Sequence, residues 1–117
     1  MTVVCLVETL ERPLAQELAA AWPAQGGGTR SLHLYWLGQA GFVIDGAGAR
    51  YVIDPYLSDS LAEKYRGTRY PHVRMMPPPV APEALRHVDA VLCTHRHTDH
   101  MDPGTLPALM HANPGAV

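Results

Sequence analysis

The chain has 117 residues, 47% of them hydrophobic, so its length and composition suit a single globular domain. Its formal net charge of −2 gives no basic surface of the kind that binds nucleic acid or an anionic membrane, and no run of about eighteen apolar residues predicts a transmembrane helix. We therefore expect a small-molecule substrate and neither a nucleic-acid nor a membrane partner.

Residues 1–30 predict a helical leader that a glycine-rich linker joins to the rest of the chain. Leu14 and Leu18 recur at the spacing of an amphipathic helix, and Pro23 ends that pattern. Three consecutive glycines follow, and such a run favours a turn or a flexible linker. We expect the body of the domain to occupy residues 31–117.

The two cysteines, Cys5 and Cys93, lie far apart in the sequence and leave two interpretations open. They form either a disulfide or two reduced thiols, and the second is the simpler interpretation, which indicates a cytoplasmic protein. The apolar run at residues 3–7 has no basic residue before it and Glu8 just after it, a pattern that does not predict a secretory signal. We interpret Cys93 as a core thiol rather than a metal ligand.

Three strands and their turns predict an antiparallel meander between residues 31 and 54. The strands are expected at 31–37, 41–45 and 50–54, and the glycines around residue 47 predict a hairpin turn between the second and the third. Side chains of the first strand alternate between two faces, with Leu32, Leu34 and Trp36 on one and His33 and Tyr35 on the other. A meander with flanking helices belongs to the α+β fold class.

Asp54 ends the third predicted strand, where a buried carboxylate is costly unless it is paired. It either caps the following turn or accepts hydrogen bonds that orient a metal-binding loop. We favour the second role, because histidines that bind a metal need such hydrogen-bond partners.

The segment at residues 56–82 predicts a long irregular connection, which is typical of a functional lid or of a solvated loop. Its arginines and tyrosines would suit an anionic or sugar-phosphate substrate, since arginine binds phosphate through two hydrogen bonds. A solvated loop with scattered charges explains any single one of these residues equally well. We interpret His72 as a surface histidine rather than a ligand.

The part of the chain after this segment predicts a short helix, a buried strand and a second helix. Pro82 is expected near the start of the short helix, and residues 88–93, which are apolar except for Asp89, predict the strand. Asp102 is expected to cap the second helix, with Pro103 at its first position.

Between that strand and that helix, residues 94–100 gather three of the chain's seven histidines and a carboxylate; we call them the histidine loop. His95 and His97 are two residues apart, so on an extended backbone their side chains point to the same side. Asp99 and His100 share a side only if the chain turns. An extended pair and a turned pair suit two neighbouring metal ions, whereas the alternative is a polar turn rich in histidine.

The motif His95-x-His97-x-Asp99-His100 resembles the signature of the metallo-β-lactamase superfamily. The strand-loop-helix context, the strand that ends in Asp54 and the stretch at 36–41 agree with the same family. The resemblance covers about residues 31–110, and residues 36–41 and 52–55 look most like the branch of L-ascorbate-6-phosphate lactonase.

The resemblance implies the N-terminal half of an αββα sandwich with a dinuclear metal site at one edge. His95 and His97 would hold the first ion, and Asp99 and His100 the second. Asp99 would also orient the bridging water, as the catalytic residue of a metal-dependent hydrolase. Zinc is the expected ion, with manganese or iron as alternatives. The substrate would be a lactone or phosphoester of a small anionic metabolite.

The resemblance also assigns hydrogen-bonding roles around the ligands to Asp54 and Thr94. A complete domain of this family carries further metal ligands in a second half, and no such residues follow His100 at suitable places. We therefore expect the chain to be one half of a larger enzyme, with an uncovered sheet face that favours self-association or a missing C-terminal half. The competing hypothesis is a non-catalytic metal-binding or interaction module.

Overall fold

The computed structural model describes residues 13–20 and 31–117. Within them lie three α-helices, a 3-10 turn and four strands: α1 (Leu14–Ala19), β1 (Leu32–Gly38), β2 (Gly41–Gly46), β3 (Ala49–Ile53), α2 (Ser60–Lys64), the turn Pro82–Ala84, β4 (Ala90–Leu92) and α3 (Leu106–Ala112). The strands form one sheet in the order β1-β2-β3-β4. The first three pair antiparallel, and β4 joins β3 in parallel.

The α+β class and the antiparallel meander are confirmed. The glycine-rich linker lies outside the described residues, and the boundary at residue 30 stays a prediction. The β2–β3 hairpin has a two-residue turn, in which Ala47 and Gly48 both take positive φ, 53° and 81°. A turn of this shape matches the twist of the two strands, and glycine adopts it freely whereas alanine rarely does.

One face of the sheet packs against the helices and forms the core. Strand register aligns Tyr35, Val43, Val52 and Val91 across this face. The first three are buried, together with residues from the helices and connecting segments: Leu18, Leu57, Val80, Leu85, Val88 and Leu109. Burial of this aliphatic set is the main force that holds α1 and α3 on the sheet.

The opposite face of the sheet is apolar as well, and it is open to solvent. We call it the open face; its residues are Leu32, Leu34, Trp36, Phe42, Ile44, Tyr51, Ile53 and Leu92. The side chains of Leu32, Leu34 and Leu92 are 71%, 61% and 50% exposed. The predicted alternation of the first strand is therefore confirmed, and so is the exposed apolar patch.

A buried ion pair fixes α1 to the sheet. The Arg50 guanidinium binds both carboxylate oxygens of Asp45 at 2.7 Å, and the two side chains are 2% and 0% exposed. The same guanidinium donates to the carbonyl oxygens of Leu18, Ala20 and Glu17, at the end of α1, at 2.8, 3.0 and 3.3 Å. The last carbonyls of a helix have few partners within it, so Arg50 acts as a C-terminal cap of α1.

Several predicted boundaries are wrong. The short helix predicted from Pro82 is a 3-10 turn that ends at Ala84, and His87 beyond it takes a φ of 59°, which no helix accommodates. The last helix begins at Leu106 rather than next to Asp102, so Asp102 is not its N-cap. The long connection at 56–82 includes the five-residue helix α2. No helix within 13–20 or 31–117 combines the length and the apolar character needed to span a bilayer.

Candidate metal centre

The histidine loop lies at the edge of the sheet where β3 and β4 end. Because these two strands are parallel, their last residues, Ile53 and Leu92, are neighbours, and the segments that follow leave the sheet side by side. The amide of Asp54 donates to the Leu92 carbonyl at 2.9 Å, and the backbone of Asp54 takes a φ of 46°. Aspartate tolerates this left-handed conformation better than most residues. The turn therefore aims the Asp54 carboxylate at the histidine loop.

Asp54 accepts hydrogen bonds from both ends of the histidine loop. One carboxylate oxygen accepts the Thr94 amide at 2.7 Å, and the other accepts the Thr94 hydroxyl at 2.7 Å. That second oxygen also lies 2.8 Å from Nδ1 of His100. These are the contacts that the predicted hydrogen-bonding roles of Asp54 and Thr94 require.

The pKa of the Asp54 carboxyl reflects opposing effects. Burial would raise this pKa, but the hydrogen bond from His100 and those from the Thr94 amide and hydroxyl outweigh it, so the pKa lies below its usual value. Burial raises the pKa of the neighbouring Cys93 thiol, and the negative charge of Asp54 raises it further. Cys93 is therefore a protonated thiol near neutral pH, which fits its interpretation as a structural residue. Cys5 lies outside the described residues.

The predicted metal ligands come together as two pairs. Nε2 of His95 lies 2.9 Å from Nδ1 of His97, and the two rings are 4.7 Å apart between centroids. Nε2 of His100 lies 3.5 Å from Oδ2 of Asp99, whose side chain is 42% exposed. The rings of His95 and His100 are 4.0 Å apart, which places the pairs side by side. The division of these ligands between two ions stays a prediction.

The donor atoms, imidazole nitrogens and a carboxylate, fit a divalent ion in type. Two nitrogens bound to one tetrahedral zinc at 2.0–2.1 Å would be about 3.3 Å apart, so His95 and His97 would need to separate only slightly. Nδ1 of His100 faces the Asp54 carboxylate, which only accepts, so this nitrogen is assigned a proton; Nε2 is the ring nitrogen on the Asp99 side. Each pair supplies only two ligand atoms, however, fewer than the three or four protein ligands of a stable zinc site. In the part of the chain that the structure describes, no group of three or more His, Cys, Asp or Glu residues is arranged to hold an ion.

The arginines proposed for an anionic substrate have other partners. Arg74 donates to the carbonyls of Tyr56, Ser58 and Met76 at 2.7, 2.9 and 3.0 Å, and its guanidinium lies 4.7 Å above the Tyr56 ring. Arg66 forms an exposed ion pair with Glu63. Arg74 is thus a structural residue that holds the segment at 56–76 near the site, a role that no local sequence pattern indicates. Substrate-binding residues remain unassigned.

His72 is not the surface residue that we predicted. Its ring packs edge-on against Tyr56, with 5.5 Å between centroids, and its side chain is half-buried. Nδ1 of His72 is buried and has no hydrogen-bond partner among the described residues. His72 is therefore part of the packing beside Arg74.

Comparison with known proteins identifies one family across most of the chain. The sequence model of a β-lactamase superfamily domain matches residues 33–115. The chain is 31% identical over 80 residues to N-acyl-phosphatidylethanolamine-hydrolyzing phospholipase D 1 of Caenorhabditis elegans. It is 31% identical over 83 residues to a metal-dependent hydrolase of Aeropyrum pernix, and 34% identical over 100 residues to an uncharacterized protein of Mycobacterium tuberculosis.

These alignments cover 68%, 71% and 85% of the chain but only 21%, 27% and 26% of the three relatives. The chain thus spans about a quarter of the length of the curated relatives it matches. The matched residues, 33–115, include the histidine loop and all of the sheet except Leu32, the first residue of β1.

Proposed function

The chain belongs to the metallo-β-lactamase superfamily, and on this premise we propose that it supplies one side of a metal-dependent hydrolase site. The proposal rests on one observation. Two pairs of ligand-type side chains, His95 with His97 and Asp99 with His100, converge at the edge where β3 and β4 end. A carboxylate at the end of β3 holds this loop at both of its ends.

In this proposal His95 and His97 hold one divalent ion, and Asp99 and His100 hold the other. Bound ions of this kind lower the pKa of a coordinated water toward neutrality and stabilise negative charge on the group that is attacked. Asp99, the one carboxylate within the histidine loop, would orient the attacking water. Zinc is the proposed ion, and manganese or iron would accept the same nitrogen and oxygen donors.

We propose a lactone or a phosphoester of a small anionic metabolite as the substrate, and the cytoplasm as the location. The phosphoester class is supported by the name of the Caenorhabditis elegans relative, a phospholipase D. The lactone class is supported by the resemblance of residues 36–41 and 52–55 to the L-ascorbate-6-phosphate lactonase branch. The two substrate classes can be tested directly, because a single preparation can be assayed with a phosphodiester and with a lactone.

Metal content should depend on His97. After dialysis against buffered zinc and then against metal-free buffer, we expect His97→Ala to retain fewer ions per chain than the wild type, because the first pair loses one of its two nitrogens. Elemental analysis measures the ratio. His111→Ala is the matched control, since His111 is exposed on α3 and lies outside the histidine loop.

Equal metal content in wild type and His97→Ala would count against the metal site. Metal binding by the wild type without turnover of either substrate class would favour the alternative, a metal-binding module. The alternative is supported by the number of ligands: each pair supplies two, whereas a stable zinc site needs three or four protein ligands.

The open face is proposed as the surface through which the chain associates with a second copy or with a further half of its own domain. We expect the chain to sediment as more than a monomer at micromolar concentration and Leu34→Glu to sediment as a monomer, because Leu34 lies in the apolar patch and is 61% exposed. Val73→Glu is the control, since Val73 is 79% exposed but lies outside the sheet. A monomeric wild type would refute self-association.

A further inference from the structure

A second buried carboxylate lies directly beyond the histidine loop. Asp102 is fully buried, and its oxygens accept hydrogen bonds from the hydroxyls of Ser58 at 2.6 Å, Ser60 at 2.9 Å and Thr105. They also accept the amides of Gly104 at 3.0 Å and Ser58 at 3.4 Å. Local turns explain the bonds from Gly104 and Thr105. The two serines come from more than forty residues earlier in the chain, so they connect separate parts of the fold.

The segment that carries these serines is itself held firmly. Arg74 donates to the Ser58 carbonyl at 2.9 Å, and the Leu57 amide donates to the Thr105 hydroxyl at 2.8 Å. The Ser60 amide donates to the Ser58 hydroxyl at 3.2 Å. Ser58 is therefore an anchored partner rather than a mobile surface residue, and it can fix the position of the carboxylate it binds.

Asp102 is separated by one residue from His100, the last predicted ligand. Within the loop, the amides of His100 and Met101 donate to the His97 carbonyl at 2.9 and 2.7 Å. This turn brings His100 back toward His95, and the chain leaves the turn at Asp102. Asp54 holds the histidine loop through Thr94 and His100, and its carboxylate accepts no hydrogen bond from Met101 or from the described residues after it.

We propose that Asp102 is a positioning residue for the histidine loop, with Ser58 and Ser60 as its anchors. Asp54 then holds both ends of the loop, and Asp102 holds the chain directly after it. Through Ser58 and Ser60, Asp102 is connected to the same segment after β3 that begins with Asp54. By fixing the chain where it leaves the turn, Asp102 would keep His100 and Asp99 close enough to share an ion. This inference rests on the proposed metal site and adds the residues that keep it preorganised.

Three substitutions weaken this connection in different ways. Ser58→Ala and Ser60→Ala each remove one hydroxyl donor from Asp102. Gly104→Ala removes no hydrogen-bonding group, but a Cβ at Gly104 would come within 2.6 Å of the Ser58 side chain and push it away from Asp102. Ser60→Thr keeps the hydroxyl and should restore the wild-type behaviour. Thr68→Ala is the control, because it removes an exposed hydroxyl that binds the carbonyl of Tyr65.

The test combines hydrogen exchange with a Co²⁺ titration of the same chain. We expect the amides of His100 and Met101 to exchange faster in the three weakened variants, while the amides of β2 and β3 keep their protection. Co²⁺, followed by its visible absorption, should bind about tenfold more weakly, as is typical when a residue that supports a ligand is lost. Ser60→Thr and Thr68→Ala should match the wild type in both measurements.

Two results would overturn the proposal. Faster exchange at all amides alike would show that Asp102 stabilises the fold in general rather than the loop. Faster exchange in the loop with unchanged Co²⁺ affinity would show that the loop's exit does not position the ligands. If the wild type bound no Co²⁺, the proposed metal site would fail first and this proposal with it, which distinguishes that failure from the other two.

Discussion

Arg50→Ala is expected to lower the free energy of unfolding by about 3–5 kcal/mol, because it leaves the Asp45 carboxylate buried and unpaired. The substitution also removes the hydrogen bonds that Arg50 donates to the carbonyls at the end of α1 and to the Arg86 carbonyl at 2.8 Å. A loss of this size is a large part of the roughly 5–15 kcal/mol that holds a small domain folded. Urea denaturation followed by circular dichroism measures it.

A double variant separates the ion pair from the fold as a whole. In Asp45→Leu/Arg50→Met both charges are replaced by apolar side chains, and we expect it to recover much of the stability, since a buried pair is often no better than a hydrophobic one. Arg86→Ala is the single-site control, because Arg86 is exposed and its side chain donates one hydrogen bond, to the Ala112 carbonyl at 3.0 Å. If Arg50→Ala cost no more than Arg86→Ala, the ion pair would not be what attaches α1.

Local patterns predicted the strands and the histidine loop because those features depend on neighbouring residues. Period-two alternation follows from the geometry of an extended backbone, so the meander could be recognised from residues 31–54 alone. The ligand types and spacing of residues 95–100 are equally local. Helix ends were predicted poorly, since the backbone at His87 and the burial of Asp102 depend on contacts with other parts of the chain.

Pairs of polar residues that lie far apart in the chain could not be predicted from sequence patterns. Arginine and aspartate are usually solvated, so nothing marked Arg50 and Asp45 as a buried pair, although their positions opposite each other across the hairpin are a signal in hindsight. The bonds from Ser58 and Ser60 to Asp102 span more than forty residues. Alternation also divided β1 into two faces without showing which one is buried. The face with Tyr35 is buried, whereas Leu32, Leu34 and Trp36 lie on the open face.

Asp54→Asn is expected to weaken metal binding by about 10–100-fold while it leaves the fold intact. Asparagine has nearly the same size and tolerates the φ of 46° at this position, so the backbone should not change. The amide oxygen can still accept the Thr94 amide. The amide nitrogen, however, replaces the oxygen that lies 2.8 Å from Nδ1 of His100 and 2.7 Å from the Thr94 hydroxyl.

The physical reason lies in the tautomer of His100. A carboxylate accepts a hydrogen bond from Nδ1–H and so favours the tautomer whose Nε2 lone pair can bind a metal. An amide NH₂ at the same place donates to Nδ1 and moves the ring proton to Nε2. A protonated Nε2 cannot bind an ion. Asp54→Ala would be a poorer test, because it would also remove the acceptor for Thr94 and strain the backbone.

Competition with a chromophoric chelator measures the metal affinity of Asp54→Asn against wild type, and thermal denaturation without metal checks the fold. Asp89→Asn is the matched control, because Asp89 is an exposed carboxylate that accepts one amide, from Arg50 at 2.7 Å, near the start of β4. Equal affinity in Asp54→Asn and the wild type would mean that the carboxylate holds the loop without selecting the tautomer. A loss confined to Asp54→Asn would assign to Asp54 the choice of which His100 nitrogen faces the metal.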